Sequence, residues 1–319
     1  MAKKIIAVVG ATGCQGGGLV RAILADPNGE FTARALTRNV NSEKAKALAK
    51  LGAEVVPADV DDVESLKRAF KGAYGAFCVT FFWEHMSPEK ETTQARNLAK
   101  AAEHAGVQHV IWSTLEDSRK SIPLNDDRMP TLQGRYKVPH LDSKAEADDD
   151  FRKLPSTLLL TSFYWDNLIN FGMGPKRDAD GNLTFMLPTA DSKVPTIAAE
   201  DIGKCSYGVF RRGNEFIGKT VGIAGQHLTG AQMAATLSEA IGEEVRYNYV
   251  PPEVYRTFGF PGAEDLGNMF QFFRDFSDDL CSARSLEFSR GLNPGLQSFR
   301  AWLGDNLGRI PLEPKRATA

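Results

Sequence analysis

The chain has 319 residues, a net charge of −2, 42% hydrophobic residues and 24% charged ones. That is the make-up of a soluble globular protein with room for one large or two smaller domains. A charge this close to neutral gives no electrostatic case for nucleic acid or an anionic membrane as the main partner. Cys14, Cys78, Cys205 and Cys281 are scattered without a C-x-x-C pair, which suits free thiols in a reducing compartment. The histidines show no metal-ligand spacing, so no metal is expected. The apolar run at 5–9 is shorter than the roughly 7–15 residues of a secretory core. No run reaches the ~20 apolar residues of a membrane span. The expected location is the cytoplasm; the sequence does not separate it from the nucleus.

The first half alternates strand and helix. An apolar β-branched strand at 5–9 enters a turn with glycine at every third position, Gly10, Gly13 and Gly16, and a helix is expected at 17–25. Strand, tight glycine turn and helix N-terminus together make a pyrophosphate site. The first helical N–H groups lack intrahelical partners, and glycine lets a phosphate approach the backbone. Thr12, Cys14 and Gln15 belong to the same loop.

Further strands are expected at 31–37, 54–56, 75–80, 107–113 and 157–161. Helices are expected at 43–51, 63–70, 88–105 (capped by Ser87) and 142–154. Repeated β–α units predict an α/β fold, a Rossmann-like, doubly wound parallel sheet with ligands at the carboxyl ends of its strands. The proline-punctuated stretch 114–139 reads as a surface loop. Beyond 161 the alternation fails. A hairpin arm (182–187), a helix (197–210), a strand rejoining the sheet (220–224), a helix (229–241) and a strand (245–250) follow. Helices near 252–259, 263–276 and 295–307 complete the chain. The expected division is a dinucleotide-binding domain of 1–162 plus 196–225, and a smaller α+β domain of 163–195 plus 226–319.

The strand ends supply the candidate site. After the second strand stand Thr37, Arg38 and Asn39. An acidic residue here would hold the ribose hydroxyls of NAD. A guanidinium instead pairs with a 2′-phosphate, so the expected cofactor is NADP(H). Asp59 and Val60 follow the third strand and are assigned to the adenine, with Asp62 as cap of the next helix. Thr80, Phe81 and Phe82 follow the fourth and should line the far ribose.

Ser113 closes the fifth strand, and His140 precedes Lys144 by four residues. Short-chain dehydrogenases place Tyr-x-x-x-Lys here, the tyrosine giving a proton and the lysine holding the ribose. Lys144 is therefore a cofactor-binding candidate. Lys144, His140 and Ser113 are the only catalytic candidates, with histidine at the tyrosine position. Tyr136 stands one turn too far back to substitute.

These residues, with longer stretches, carry a family resemblance. GATGCQGG (10–17), LTRN (36–39), LGAEVVPADVDD (51–62), GAYGAFCVTFFWE (72–84), HLDSKAEAD (140–148), SFYWDNL (162–168) and PEVYRTFGFPGAEDLGNMFQFF (252–273) span most of the chain. The chain resembles the NmrA-like proteins, an atypical branch of the short-chain dehydrogenases, and within them an NADPH-sensor group. The resemblance implies NADP(H) contacts at the glycine loop, Arg38, the segment after Val79, Lys144, and Tyr164 to Asn167. It also implies little dehydrogenase activity, with the NADPH/NADP ratio read out through a protein partner. Thr93 departs from the sensor group, which carries lysine there.

Two functions stand: a redox-sensing NADP(H)-binding regulator, or an NADPH-dependent reductase of quinones or other small carbonyls. The missing tyrosine favours the first. The rings of Phe81, Phe82, Trp83, Tyr164 and Trp165, which could sandwich a small aromatic substrate, favour the second. A homodimer stays open. In the helix near 263–276, Leu266, Met269, Phe270, Phe273 and Phe276 form one apolar stripe. Phe272 and Phe260 are expected to face a cleft or a partner.

Overall fold

A computed structural model describes residues 2–313. Its centre is a seven-stranded sheet in the order Thr220–Gly222, Ser156–Leu160, His109–Thr114, Gly75–Cys78, Lys4–Val8, Phe31–Thr37 and Glu54–Pro57, with every pairing parallel. This is the doubly wound, Rossmann-like α/β arrangement. The strand order turns outward in both directions from the neighbours Lys4–Val8 and Gly75–Cys78. That switch point opens the crevice in which such folds take ligands. Central strands such as Gly75–Cys78 and His109–Thr114 are buried along their whole length, which their apolar sequence and two covered faces require.

Most elements of the first half form where the pattern puts them. Ser42, Asp62 and Ser87 each cap the helix that follows through a side-chain oxygen. Gly18 and Gly203 allow the close packing of helices Cys14–Leu24 and Ala199–Arg211. A Cβ on Gly18 would lie 3.0 Å from the Glu200 Cα, so backbone meets backbone there.

Three expected element boundaries are corrected. The first helix begins at Cys14, not Gly17, so the glycine loop itself enters the helical turn. The expected helix 142–154 is two helices, Pro139–Ala145 and Asp148–Arg152. It starts early because Asp142 reaches back to accept from the N–H groups of Lys137 (2.8 Å) and Val138 (3.1 Å). Asp148, after the break, is drawn onto Trp112 Nε1 (3.0 Å) and Thr114 Oγ1 (2.7 Å). Residues 194–197 are a strand, Val194–Ile197, and the helix expected from 197 runs Ala199–Arg211.

The second half holds two three-stranded sheets. One joins Gln226–Leu228, Val194–Ile197 and Phe163–Tyr164; the other joins Val245–Asn248, Leu183–Met186 and Lys176–Arg177. Helices Ser277–Ser282 and Leu286–Leu292 add to those expected. The helix Ala263–Asp275 is enclosed on nearly every side, and Phe272 is only 2% exposed, with its ring 5.2 Å from that of Phe276. Phe272 is therefore core, not a partner surface. Phe260 is exposed at the edge of a cleft.

The stretch 114–139 is not a free surface loop. Ile122, Met129, Tyr136 and Val138 are buried. Asn268 donates its amide to the carbonyls of Lys137 (2.5 Å) and Pro130 (3.0 Å), and Gln271 donates to that of Arg128 (2.7 Å). The buried face of one helix thus satisfies loop carbonyls that periodicity could not locate. Among the described residues no helix is long and apolar enough to cross a membrane, and no group of side chains could hold a metal ion.

Candidate functional site

The glycine loop leaves the strand Lys4–Val8 with Gly10 at φ +64, a left-handed conformation that favours glycine. Gly13 donates its N–H to the Gly10 carbonyl (2.8 Å) and forms the N-cap of the helix Cys14–Leu24. No side chain caps that terminus and no acid stands in its first turn. Its leading N–H groups are left for an anion. The other two glycines do different work. A Cβ at Gly16 would lie 2.6 Å from the Gly10 carbonyl oxygen and 2.7 Å from that of Val9, so Gly16 seats the helix on the strand. At Gly13 the nearest atom would be 3.2 Å away. The loop has the cradle a pyrophosphate needs.

Arg38 stands exposed at the end of Phe31–Thr37 and pairs with Glu84 at 2.6 Å. Asn39 folds back on the Thr37 hydroxyl (3.3 Å). Asp59 accepts from the Asp61 N–H (3.0 Å), while Val60 offers its carbonyl to Asn97 (3.0 Å). Asp61 in turn accepts from Gln94 (2.9 Å) and pairs with Lys90 (3.2 Å). The turn after the third strand is tied to the helix Pro88–His104.

Gln15 links the loop to the far side of the crevice. Its Oε1 accepts from Ser113 Oγ (2.8 Å), and its Nε2 donates to Tyr164 Oη (2.5 Å). Burial pushes the Tyr164 phenol up to about 12, so it stays neutral. Ser113 therefore serves Gln15. Asn167, whose carbonyl accepts from Phe171 (3.1 Å), opens the short helix Asn167–Asn170 beside this network.

Lys144 lies beneath the end of Gly75–Cys78. Its Nζ donates to the Thr80 carbonyl (3.1 Å) and hydroxyl (2.8 Å), and pairs with Glu91 Oε1 at 2.6 Å. An ammonium has three hydrogens, and here it has three acceptors. Thr80 passes its own hydroxyl hydrogen to Glu91 (2.6 Å). Glu91 is fully buried on the helix Pro88–His104. Burial works against its charge, yet Lys144, His85 and Thr80 outweigh that and hold the carboxyl down at about 2. His85 accepts the Ser87 N–H at Nδ1 (3.1 Å), which leaves its Nε2–H facing Glu91 Oε2 at 3.4 Å.

His140 is nearly buried. Its Nδ1 meets Asp265 Oδ1 at 2.6 Å, and its backbone N–H donates to Asp265 Oδ2 (3.1 Å). Its ring lies 4.9 Å from Trp83 and 5.9 Å from Phe82. Asp265 belongs to Ala263–Asp275, so the position of the dehydrogenase tyrosine bridges to the C-terminal half. Phe82, Trp83, Met86, Gln133, Phe260 and Asp265 border a cleft of about 520 Å³.

The expected five-ring pocket is corrected. Trp165 is fully buried against Phe299 (5.4 Å) and Trp302 (6.2 Å). Tyr164 belongs to the Gln15 network, and Phe81 is exposed outside the cleft. Tyr136 is buried beneath the guanidinium groups of Arg119 and Arg135.

Glu91, His85, Glu84 and Asp265 were not legible as site residues. Glu91 did leave a signal. It falls on the stripe Ala95, Leu98 and Ala102, and a charge on a helix's buried face needs a partner.

The NmrA-like family model matches residues 2–303. The chain belongs to the NmrA-like family. An NmrA-like family domain-containing oxidoreductase, FrzB of Cladobotryum sp., is 30% identical over 291 residues, covering 84% of this chain and 83% of that one. Among solved structures, Nmra, a negative transcriptional regulator, superposes with a TM-score of 0.77 at 25% identity over 94% of each chain. Its complex with NADP superposes at 0.76 with 24% identity, over 95% of this chain and 94% of that one.

Proposed function

We propose that this NmrA-like chain is an NADP(H)-binding regulatory protein that senses the state of its cofactor and turns over little of it. The units 1–162 with 196–225 would bind the dinucleotide, and 163–195 with 226–319 would report on it to a protein partner. The single observation that carries the reading is the commitment of His140 to Asp265. The ring at the proton donor's position is anchored through Nδ1 in a tie between the two halves. Lys144, its three hydrogens occupied, agrees with that.

The uncapped helix N-terminus at Cys14–Leu24 would hold the pyrophosphate, and Arg38 the 2′-phosphate of NADP(H). Thr37, Asn39, Asp59 and Val60 would flank the adenosine. Thr80, Phe82, Lys144 and the Gln15–Tyr164 pair would flank the other half. Nmra, solved with NADP, supports a dinucleotide in this groove.

A second reading is a reductase of quinones or other small carbonyl compounds. The aromatic cleft favours it, as does the naming of FrzB as an oxidoreductase. Bound NADPH would supply hydride. The chain's part would be a proton from His140 Nε2, with Asp265 stabilising the imidazolium through Nδ1.

The test measures dissociation constants for NADPH and NADP by calorimetry, together with NADPH consumption against quinones, aldehydes and ketones. Tight binding with negligible turnover supports the sensor. Robust turnover that is lost in His140→Ala supports the reductase. Failure to bind either form overturns both.

A further inference from the structure

The two forms of a nicotinamide dinucleotide differ by one charge: the oxidised ring is cationic and the reduced ring neutral. A site tells them apart through the charges it holds at that end. The dinucleotide groove runs along the strand ends, with Arg38 at one side of the glycine loop and the end of Gly75–Cys78 at the other. Charges buried at the second side therefore face the half that changes.

That side holds a cation and an anion joined to each other. Lys144 is mostly buried and Glu91 wholly so, at 2.6 Å. Thr80 bridges them from the strand end itself, touching Lys144 with two oxygens and Glu91 with its hydroxyl hydrogen. His85 faces the other carboxylate oxygen. A second pair on this side, His140 and Asp265, is joined in the same way. In a largely dry place a unit charge acts over several ångströms with little screening. The balance between Lys144 and Glu91 thus fixes the field that a cationic or neutral ring meets.

We propose that Glu91 is a specificity-determining residue for cofactor redox state: by offsetting Lys144, its carboxylate lets the oxidised dinucleotide bind on terms comparable with the reduced one. The inference rests on the sensor reading of this groove. Glu91 touches no ligand in the proposal and acts through the field and through the placement of Lys144. It is a positioning residue, not a catalytic one.

The experiment measures dissociation constants by calorimetry for NADPH, for NADP and for 2′-phospho-ADP-ribose, which lacks the nicotinamide. In Glu91→Gln the side chain keeps its shape and loses its charge. The ratio of the NADP to the NADPH constant should rise about tenfold, the order expected for one unit charge in a partly dry site. Binding of 2′-phospho-ADP-ribose should stay within about twofold of wild type, a change of roughly 0.4 kcal/mol or less.

A purely structural role would weaken both forms together and leave the ratio fixed, which overturns the proposal. Lys144→Gln is the independent variant should Glu91→Gln not fold. Glu91 keeps the Thr80 hydroxyl as donor and faces His85 Nε2 at 3.4 Å, and binding is measured at about pH 8 to keep its carboxylate charged. The ratio should move the other way, toward NADP, even though both constants weaken. A fixed ratio, or a shift toward NADPH, overturns the proposal. Wild type that binds neither dinucleotide sinks the sensor reading itself. Wild type that binds both while the variants leave the ratio unmoved sinks this inference alone.

Discussion

On the glycine-loop side of the groove, the helix N-terminus and the Arg38 guanidinium face solvent. The helix Cys14–Leu24 has no capping side chain, and Arg38 stands in solvent with one exposed carboxylate beside it. On the opposite side, Lys144, Thr80 and Glu91 bond one another and His140 bonds Asp265, with Glu91 Oε2 facing His85 Nε2 at 3.4 Å. Unsatisfied donors are a binding device, because a ligand completes bonds that folding left open. A closed network has less to offer a ligand and more to lose by rearrangement. The same groove thus joins a half built to grip with a half built to hold its shape, and the halves should respond differently to substitution.

The largest expected effect falls on the gripping half. Gly13→Val puts a branched side chain at the mouth of the helix N-terminus. Its backbone is extended (φ −89), and the nearest obstacle is one carbonyl oxygen at 3.2 Å, so the fold should survive. NADPH affinity should fall at least about 100-fold, roughly 2.7 kcal/mol. Unchanged affinity in a variant with native circular dichroism would move the phosphate elsewhere. The matching change at Gly16 is a poor probe, since backbone oxygens at 2.6 and 2.7 Å would force helix from strand.

Next comes Arg38→Ala. Loss of a charge-assisted contact should erase about 1.5–3 kcal/mol of preference for NADP(H) over NAD(H). The wild-type preference is measured first, by calorimetry with both dinucleotides. Equal wild-type affinities for the two dinucleotides would remove Arg38 from the site.

How far the sequence reached follows the same division. The glycine turn and the caps Ser42, Asp62 and Ser87 form within a few residues of themselves, and local pattern located them. The closed half is assembled from residues far apart in the chain: His140 with Asp265, Lys144 with Thr80 and Glu91. The pattern named His140, Lys144 and Thr80 singly and could not name their partners. Phe272 failed for a related reason. Helical periodicity assumes one wet face, and the helix Ala263–Asp275 has a protein neighbour on nearly every side. The loop 114–139 was misjudged as surface because Asn268 and Gln271, which satisfy its carbonyls, lie over 130 residues away.

The closed half can be probed by pH, through two desolvated carboxylates of opposite fortune. Glu91 has a cation, and its carboxyl is held at about 2. Its contribution to stability is present above the ordinary glutamate range and is lost as pH falls toward 2. Asp148 is half-buried against Trp112 and Thr114, hydrogen-bonded but with no cation in contact, and desolvation pushes it up to about 6. Its contribution runs the other way: present below about pH 4 and lost as pH rises through about 6. Asp148→Asn should therefore flatten the decline between about pH 4 and 6 and stabilise the protein at pH 7.5 by about 2 kcal/mol. Chemical denaturation at the two pH values checks it. A variant that is less stable at pH 7.5 would show that the ionised Asp148 is a wanted partner of Trp112.

The smallest effect tests whether the gripping half is as open as it looks. Glu84 holds Arg38 at 2.6 Å, and both side chains are about half exposed. An exposed pair of this kind is worth about 0–1 kcal/mol. The guanidinium must leave Glu84, or share it, before it can meet a 2′-phosphate, and the carboxylate would repel that phosphate across a short distance. Glu84→Gln removes the competitor and the repulsion together. NADP(H) should bind about two- to fivefold tighter, which is about 0.4–1 kcal/mol. The gain should shrink as salt rises, because these charges are screened within about 10 Å at 0.1 M. NAD(H), without the 2′-phosphate, should change less. In the double variant with Arg38→Ala the benefit for NADP(H) should fall to the repulsion alone. Weaker NADP(H) binding in Glu84→Gln would mean that the carboxylate aims Arg38 at the phosphate, and the gripping half would then share the preorganisation of the closed one.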